Sequence, residues 1–500
     1  MAISLEPPGQ DSVSDDDERL RRLGFKNEFK RDMGPWANFA LGFTYLSPVV
    51  GIYVTFAFSL AAGGPPMMWA LVIAGLGQLL VALVFGEVVS QFPLAGGIYP
   101  WARRLWGRRW AWLTGWIYMM ALFATISALA YGSSPYICAL FGIEHTTTST
   151  VVVGLVLLAI STVINFLGTE ALSIVARIGF SAELLGALAV GLWLLITARQ
   201  HDFSVFFDSF GAGGSDAYIY AFLAAGLIGV YQYYGFEACG DVAEEVADPS
   251  RRIPKTMRMT IYVGGAAAIF ITVALTLAVT DFGAVIRGED TDPINTVLAS
   301  AFGDVGSKVV LVVVLLSFIS GALSLQAAAS RLLFSYARDG MIGASAALSK
   351  ISPSRRVPLL ALTVSGLVPA MVLMITFIST DTLAKIVSFA TAGIYLGFQM
   401  VVLAALRARM KGWRPSGPFT LGRWGMVVNV AALIWGVAAI TNMIWPRTPD
   451  VSWLDNNIVS VMLLGVIAVG TVYMLVSGRA EASDAPYSDA IPTSDDPTKV

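Results

Sequence analysis

About twelve long apolar runs follow one another along the 500 residues, and they restrict the chain to a fold that crosses a lipid bilayer many times. A helix needs roughly 20 apolar residues to cross the hydrocarbon. The runs cover residues 37–61, 67–90, 110–135, 149–168, 172–197, 217–239, 259–280, 309–335, 357–379, 383–406, 425–445 and 456–477. Charged residues make up only 13% of the chain, about half the share in a soluble domain. A soluble enzyme, a disordered protein and a fibrous protein are therefore excluded.

Basic side chains are concentrated in every second connection between the runs, and this pattern predicts the orientation. One cluster precedes the first run, and the others fill the connections between runs two and three, six and seven, eight and nine, and ten and eleven. Representatives of the five clusters are Arg22, Arg103, Arg252, Arg355 and Arg409. Because Lys and Arg concentrate on the cytoplasmic side of membrane proteins, twelve spans place all five clusters and both termini in the cytoplasm. We expect a multi-pass protein of the plasma or inner membrane.

Two of the runs contain residues that interrupt a helix. The first run holds Pro48, which removes a backbone hydrogen bond, and Gly51, which loosens the helix further. The sixth run holds three tyrosines, two glycines and Glu237, a carboxyl group that is expensive in lipid unless it is protonated, paired or hydrated. A simple proline kink and a hydrogen bond between helices are the structural alternatives for these two features.

The interruptions fall in spans one and six, which is the arrangement that a five-plus-five inverted repeat predicts. The amide groups of a broken first helix carry the positive end of a helix dipole and can bind a carboxylate without a cationic side chain. The tyrosines of span six can cover a bound solute, and their rings favour ammonium groups.

Further motifs are spread along the chain in a specific order, and the chain resembles a known family in all of them. The matching segments are Ser47 to Ile52, Glu87 followed by Phe92-Pro93-Leu94-Ala95-Gly96-Gly97-Ile98-Tyr99, Gly115-Trp116, Gly235-Phe236-Glu237 followed by Asp248-Pro249-Ser250-Arg251-Arg252-Ile253-Pro254, and Ser330-Arg331-Leu332-Leu333-Phe334-Ser335-Tyr336-Ala337-Arg338-Asp339-Gly340. Together they resemble the amino acid–polyamine–organocation permease superfamily, and within it the bacterial amino acid/choline permease branch.

The resemblance implies an all-α integral membrane fold of twelve helices. Helices one and six would be discontinuous in a five-plus-five inverted repeat, and two helices would be appended. It implies secondary transport by alternating access, with the substrate carboxylate at the span-one break, the amine near span-six carbonyls and Tyr231 as a lid. The substrate-binding positions that it assigns are Ser47, Pro48, Val49, Val50, Gly51, Ile52, Tyr231, Tyr234, Gly235 and Phe236. It also links Glu237 to a gate, with Tyr118 and Tyr395 as partners.

This sequence departs from the family pattern in two places. Pro48 lacks an N–H group, so one donor for a substrate carboxylate is missing. Some proton-coupled relatives carry a Lys in span five, and the corresponding position here is Glu183. A buried Glu can carry a proton near neutral pH, so Glu183 is a candidate coupling residue. A hydrogen bond between helices is the alternative.

Several charged residues lie at the predicted cytoplasmic ends of the spans. We expect Glu244, Glu245 and Asp248 to pair with arginines in a gate. Glu87 and Arg331 are expected to make structural ion pairs, Glu87 beside the basic loop at Arg103.

The composition divides the chain into four parts. Residues 1–35 and 479–500 are polar and are predicted to be disordered cytoplasmic tails. The transporter core would cover 36–410, with repeats at about 36–200 and 215–410, and residues 420–478 would add helices eleven and twelve.

The predicted function is import of an amino acid or related small amine, coupled to protons rather than sodium. A choline or polyamine transporter and an amino acid exchanger stay open as alternatives, and so does a nutrient sensor that transports nothing. A membrane-embedded enzyme would need clustered His or paired carboxylates at one depth, which are not visible. No metal site, cofactor or nucleic acid partner is expected for a chain with two Cys, two His and a net charge of −2.

Overall fold

The computed structural model describes residues 10–26, 28–214, 217–377, 382–447 and 451–492. Within these ranges all regular secondary structure is helical, no strand is present, and one isolated parallel bridge joins Met33 to Val246. The predicted all-α fold is confirmed.

The helices of the first half are α1 (Gln10–Arg22), α2 (Pro35–Leu46), α3 (Pro48–Gly63), α4 (Met68–Gln91), α5 (Ile98–Leu105), α6 (Arg108–Gly132), α7 (Ser134–Phe141), α8 (Thr147–Phe166), α9 (Thr169–Trp193), α10 (Tyr218–Ala225), α11 (Leu227–Gln232) and α12 (Ala238–Asp241). Those of the second half are α13 (Pro249–Met259), α14 (Gly265–Ala278), α15 (Phe282–Ile286), α16 (Pro293–Arg338), α17 (Ser345–Leu348), α18 (Leu359–Leu373), α19 (Thr382–Met410), α20 (Gly425–Ile444), α21 (Trp453–Asn456), α22 (Ile458–Ser477) and α23 (Arg479–Ala482). Short 3-10 turns lie at Pro65–Met67, Phe203–Phe207, Ala243–Glu245, Met374–Phe377 and Gly422–Trp424, and π turns at Leu194–Ala198 and Thr260–Gly264.

Eleven helical stretches in the described part of the chain are long and apolar enough to cross a membrane. The sixth predicted run is the exception, because it is divided into α10, α11 and α12. Its longest apolar helical stretch, Tyr218–Gln232, consists of α10 and α11 and is too short to count as a span. The multi-pass architecture therefore agrees with the prediction. The count of long spans falls one short of twelve because the predicted discontinuity of span six is real.

Small residues allow the central helices to approach one another closely. A Cβ atom on Gly179 of α9 would lie 2.4 Å from Ser320 of α16, and one on Gly115 of α6 would lie 2.4 Å from Tyr336. Close contacts at small residues are typical of helices that associate inside lipid, where hydrophobic burial drives little packing. In the stretch Arg108–Phe141, which contains α6, 83% of the most apolar 18 residues are buried, whereas in α22 only 11% are.

Basic and acidic side chains meet near the C-terminal end of α16, which we call the basic end of the bundle. Arg331 and Arg338 of α16 bind Glu245 and Glu244, at 2.7 and 2.9 Å. The expected pairing of these two acids with arginines is therefore confirmed. Asp248 takes a different contact, since its backbone N–H donates to Asp16 at 2.9 Å.

The predicted surroundings of Glu87 are wrong in one respect. Its carboxylate binds Arg409 of α19 and accepts a hydrogen bond from the Leu421 N–H at 2.5 Å. Arg103 instead lies 3.8 Å from Asp339. The structural ion pair is confirmed, but the partner of Glu87 comes from span ten. The basic loop at Arg103 is closer in the sequence, and sequence proximity does not reveal this long-range contact.

The parts of both tails that are described are packed, which differs from the predicted disorder. Residues 10–22 form α1, and Leu20 and Phe29 are buried. The N–H of Ser488 donates to the carbonyl of Arg103 at 2.9 Å, and Asp489 binds Arg104. The arginines and carbonyls of α5 thus hold the C-terminal segment, a long-range effect that composition does not reveal. Residues 1–9 and 493–500 lie outside the described ranges.

Candidate functional site

The break in span one is a single residue, Ser47, between α2 and α3. Ser47 has a φ of +42°, a strained value for a residue with a side chain. Its N–H donates to the Phe43 carbonyl at 2.7 Å and closes α2, while its Oγ accepts from the Val50 N–H at 3.0 Å and caps α3. Pro48 follows at the first helical position, where its missing N–H matters least.

The amide donors at the start of α3 are already engaged. Val49 donates to Glu183 Oε1 at 3.0 Å, the Ser47 hydroxyl donates to the same oxygen, and Gly51 donates to the Ser47 carbonyl at 2.9 Å. Glu183 comes from α9 and is fully buried. A carboxylate is favoured at a helix N-terminus. The structure therefore places an internal carboxyl group where the resemblance implies the carboxylate of a substrate.

The break in span six is longer, because α11 ends at Gln232 and α12 begins at Ala238. Gly235 has a φ of +111°, and a Cβ atom there would lie 2.6 Å from the Leu46 backbone nitrogen. Only a residue without a side chain fits this contact. The two breaks thus touch each other at Gly235.

Gln232 connects the two breaks and was not among the predicted site residues. Its Nε2 donates to the carbonyl of Leu46 at 3.2 Å, and its Oε1 lies next to Gly51. The available signal was an amide side chain in a run that is otherwise apolar and aromatic.

Glu237 holds the N-terminal side of α12. Its Oε2 accepts from the Gly235 N–H at 2.7 Å, and its Oε1 accepts from the Tyr118 hydroxyl at 2.9 Å. Tyr395 behaves differently: its hydroxyl has no hydrogen-bond partner among the described residues, and its ring stacks on Phe398 at 6.2 Å. Of the two tyrosines expected beside Glu237, the structure shows a hydrogen bond from Tyr118 alone.

The aromatic residues of span six divide into two groups. The rings of Tyr231 and Tyr234 meet edge to face at 5.3 Å beside the breaks. Phe236 packs instead between Phe85 and Phe398, at 5.9 and 5.5 Å, in an apolar cluster. Phe236 thus fixes the position of the break, and the two tyrosines are the aromatic groups next to it.

The whole arrangement is closed. Val50 and Ile52 are buried apolar side chains, and Tyr231 and Tyr234 are 5% and 3% exposed. No group of three or more His, Cys, Asp and Glu residues that could hold a metal ion is found in the part of the chain that the structure describes. What the site offers is two carboxyl groups, each held by backbone donors, and a tyrosine pair. Such a set can hold a proton and can attract an ammonium group.

Asp241 is a further buried acid that the prediction did not assign to the site. It lies one helical turn after Glu237 and is 0% exposed. The available signal was a second carboxylate in the same apolar run, four positions after the first.

Comparison with known proteins gives consistent matches along the chain. Residues 33–477 match a family model described as Amino acid permease. The chain is 26% identical to Amino-acid permease BAT1 of Arabidopsis thaliana, over 92% of this chain and 94% of that protein. It is 23% identical to Amino-acid permease 2 of Neurospora crassa, over 94% and 89%. A crystal structure of the Eremococcus coleocola manganese transporter covers 95% of this chain and 97% of its own, with a TM-score of 0.59 and 14% identity. At that identity the structural match shows the fold alone.

Proposed function

Since this chain belongs to the amino acid permease family, we propose that it imports an amino acid or a related small amine by alternating access, driven by protons. The superfamily resemblance of the motifs is confirmed, and the protein is a transporter rather than an enzyme. The observation that carries the finer proposal is the contact between two helix breaks, each with a buried carboxyl group on its backbone donors.

The carboxylate end of a substrate would compete with Glu183 for the start of α3. A proton on Glu183 weakens its oxygen as an acceptor, because a neutral acid binds N–H and O–H donors less strongly than a carboxylate does. The Val49 N–H and the Ser47 hydroxyl then become available to the substrate. Proton binding would thereby precede substrate binding and couple the two, as a proton symporter needs. The contacts of Glu183 with these two donors support this role.

The amine end of the substrate would lie against the tyrosines of span six. The faces of Tyr231 and Tyr234 attract an ammonium group, and the residues between α11 and α12 leave backbone carbonyls outside regular helix. Glu237 would transmit substrate binding at the break to α12, since it accepts hydrogen bonds from both the Gly235 N–H at the break and the Tyr118 hydroxyl of α6.

The ion pairs at the basic end would form the inner gate. We propose that this end faces the cytoplasm and that both termini lie there, in accordance with the distribution of basic residues. Arg331–Glu245 and Arg338–Glu244 connect α16 to the end of span six. Breaking these pairs would open the closed site to the cytoplasm, and the membrane would be the plasma or inner membrane.

A second candidate is transport of a cationic amine without a carboxylate, such as choline or a polyamine. The observation that favours it is the engaged donor set of α3, since Glu183 already supplies a carboxyl group there. In that case Glu183 would pair with the substrate cation and would not be displaced by a carboxylate.

Uptake into proteoliposomes with an imposed proton gradient tests the proposal. Labelled amino acids, γ-aminobutyrate, putrescine and choline are screened with wild type and with Glu183→Gln, which keeps an acceptor oxygen but cannot exchange a proton. We expect gradient-driven uptake of a solute that carries both an amine and a carboxylate, and its loss in Glu183→Gln.

The alternatives give different results in the same assay. Uptake of putrescine or choline alone identifies the second candidate. Uptake that needs sodium and survives in Glu183→Gln contradicts proton coupling through this residue. Glu289→Gln is the matched control and should transport like wild type, because Glu289 is exposed and forms an ion pair with the exposed Arg287.

A further inference from the structure

Asp241 is the last residue of α12. Its backbone groups are hydrogen-bonded, whereas its carboxyl group is not bonded to any described residue. Its N–H donates to the Glu237 carbonyl at 3.1 Å, and its own carbonyl accepts from the Gly96 N–H at 2.9 Å. The side chain is 0% exposed, yet neither carboxyl oxygen has a hydrogen-bond partner within the described residues. Buried carboxylates are normally paired or hydrogen-bonded, so this acid requires an explanation.

The loop between α4 and α5, residues 92–97, covers the carboxyl group. A Cβ atom on Gly97 would lie 2.5 Å from Asp241 Oδ1, and Gly97 has a φ of +36°. The loop backbone therefore lies directly against the acid and keeps water away. The same loop is attached to the inner gate, because the Ala95 N–H donates to Glu244 Oε1 at 3.0 Å. Opening the gate would move the loop off Asp241.

No cation is directed at Asp241 from the helices packed around it, as far as the described residues show. Arg331 and Arg338 of α16 are bound to Glu245 and Glu244, and Arg103 of α5 lies beside Asp339.

The α2 helix contains no charged residue. On α13, Arg258 lies over the ring of Phe419 and donates to a backbone carbonyl, and the other basic residues, Arg251, Arg252 and Lys255, are at least partly exposed.

Burial and the like charge of one neighbour, Glu237, favour the neutral form of Asp241. Glu237 lies one turn earlier on the same face of the helix and adds a like charge. The phenols of Tyr45 and Tyr118 are also near, together with the Cys239 thiol. Two hydrogen-bond donors stabilise a negative charge on Glu237, whereas no described residue donates to the carboxyl group of Asp241. A proton shared by these two acids would therefore reside on Asp241.

We propose that Asp241 is a second proton-binding site of the transport cycle, which holds its proton while residues 92–97 cover it and releases it when they move away. The proposal rests on the proposed proton-coupled transport. In the release step the O–H bond of the carboxylic acid breaks, the proton passes to cytoplasmic water and the carboxylate stays on Asp241. The hydrated carboxylate is stable only while the gate is open, so closure requires a new proton. For net transport this proton has to reach Asp241 from the outer side by way of Glu237, because a proton taken back from the cytoplasm would cancel the one released.

Asp241→Asn tests the proposal, because the amide has the shape of the neutral acid and cannot release a proton. We expect it to exchange labelled for unlabelled substrate at the wild-type rate and to lose accumulation driven by a proton gradient. Asp304→Asn, an exposed position near the other end of α16, should retain both activities. Loss of exchange together with accumulation, or full accumulation in Asp241→Asn, would overturn the proposal.

Infrared spectroscopy of the purified protein provides a readout that needs no substrate. The comparison is made in Glu183→Gln, which removes the band of the other proposed proton carrier. There we expect a carbonyl band of a protonated, buried carboxylic acid near neutral pH, and its loss when Asp241→Asn is added. Gly97→Ala in the same background, whose methyl group pushes the loop off the acid, should lose the band as well and covers the case that the Asp241→Asn variant does not fold. A band that is unchanged by Asp241→Asn in this background refutes the assignment, and so does sodium that stabilises wild type but not Asp241→Asn. If no solute shows proton-driven uptake, the proposed function fails, while the band still decides the protonation of Asp241.

Discussion

The two helix breaks both place a carboxyl group on backbone donors, but they obtain it from different parts of the chain. The break at Ser47 is one residue long, and its carboxyl group comes from Glu183, 136 positions later. The break between α11 and α12 is five residues long, and its carboxyl group, Glu237, belongs to the break itself.

This difference indicates how each break can respond to a substrate or a proton. The first break depends on tertiary packing, so a shift of α9 relative to α3 releases its donors. The second break is bound locally and moves together with α12 as one unit. We therefore expect substitutions at the first break to change coupling and those at the second to change the geometry of the gate. Four substitution pairs test the comparison, in order of decreasing expected effect.

The largest effect is expected from Gly235→Ala, which changes the point where the breaks touch. A methyl group there would lie 2.6 Å from the Leu46 nitrogen at a φ of +111°, so clash and backbone strain together cost about 2–5 kcal/mol of stability. The midpoint of thermal unfolding of the purified protein should fall strongly. Gly465→Ala, with no atom near the added methyl group, is the control and should melt like wild type. Equal midpoints for the two variants would contradict a tight contact between the breaks.

Glu183→Met and Glu183→Gln form the second pair. Methionine removes both acceptor oxygens and leaves the buried Val49 N–H without a partner, which costs about 1–3 kcal/mol. Glutamine retains one oxygen, and a single oxygen of Glu183 accepts both hydrogen bonds. Thermal unfolding should therefore separate the two variants, with glutamine within about 1 kcal/mol of wild type. If methionine is as stable as glutamine, Glu183 does not cap α3.

Ser47→Ala and Ser47→Gly separate the cap from the backbone strain of the first break. Alanine loses the hydrogen bond to the Val50 N–H and keeps the strained φ of +42°, at a cost of about 0.5–2 kcal/mol. Glycine loses the same bond but adopts a positive φ readily. The glycine variant should therefore unfold at the higher temperature. The reverse order would show that strain at this residue has no part in the stability of the break.

The smallest effect is expected from the tyrosines near the second break. Tyr118→Phe removes a donor to Glu237 and should cost about 0.5–1.5 kcal/mol. Tyr395→Phe removes a hydroxyl that has no partner in the described part of the chain and should be neutral. A Tyr118→Phe, Glu237→Gln double variant should show a coupling energy by thermal unfolding, whereas Tyr395→Phe combined with Glu237→Gln should be additive. Additive behaviour in both cases would refute the hydrogen bond.

The sequence predicts the helices and the position of the breaks well because both arise from local chemistry. The lengths of the apolar runs correspond to the spans, so that run 37–61 becomes α2 and α3 between Pro35 and Gly63. Pro48 places the first break, directly after Ser47, and Gly235 places the second, whereas Gly51, which was expected to loosen the helix, lies within the regular part of α3. Proline and glycine act on their own backbone, and their effects can be read without neighbours.

The partners of the site residues could not be predicted from the sequence because they depend on long-range packing. Nothing local connects Glu183 to Ser47, Arg409 to Glu87, or Gln232 to Leu46. The tails show the same limit. Their composition predicts disorder, but α5 supplies arginines and carbonyls that hold residues 483–490 in place. The same α5 is reached by the N-terminal tail, through the Leu23 carbonyl and Arg104.

The contact of the C-terminal segment with α5 has a consequence for biosynthesis. Arg103 and Arg104 emerge from the ribosome early, but Asp489, which binds Arg104, follows 385 positions later. Until that segment has been translated, these arginines lack their contacts with residues 483–490. The basic end of the bundle is therefore completed only after residues 483–490 have emerged, and a nascent chain arrested before them would leave that end uncovered.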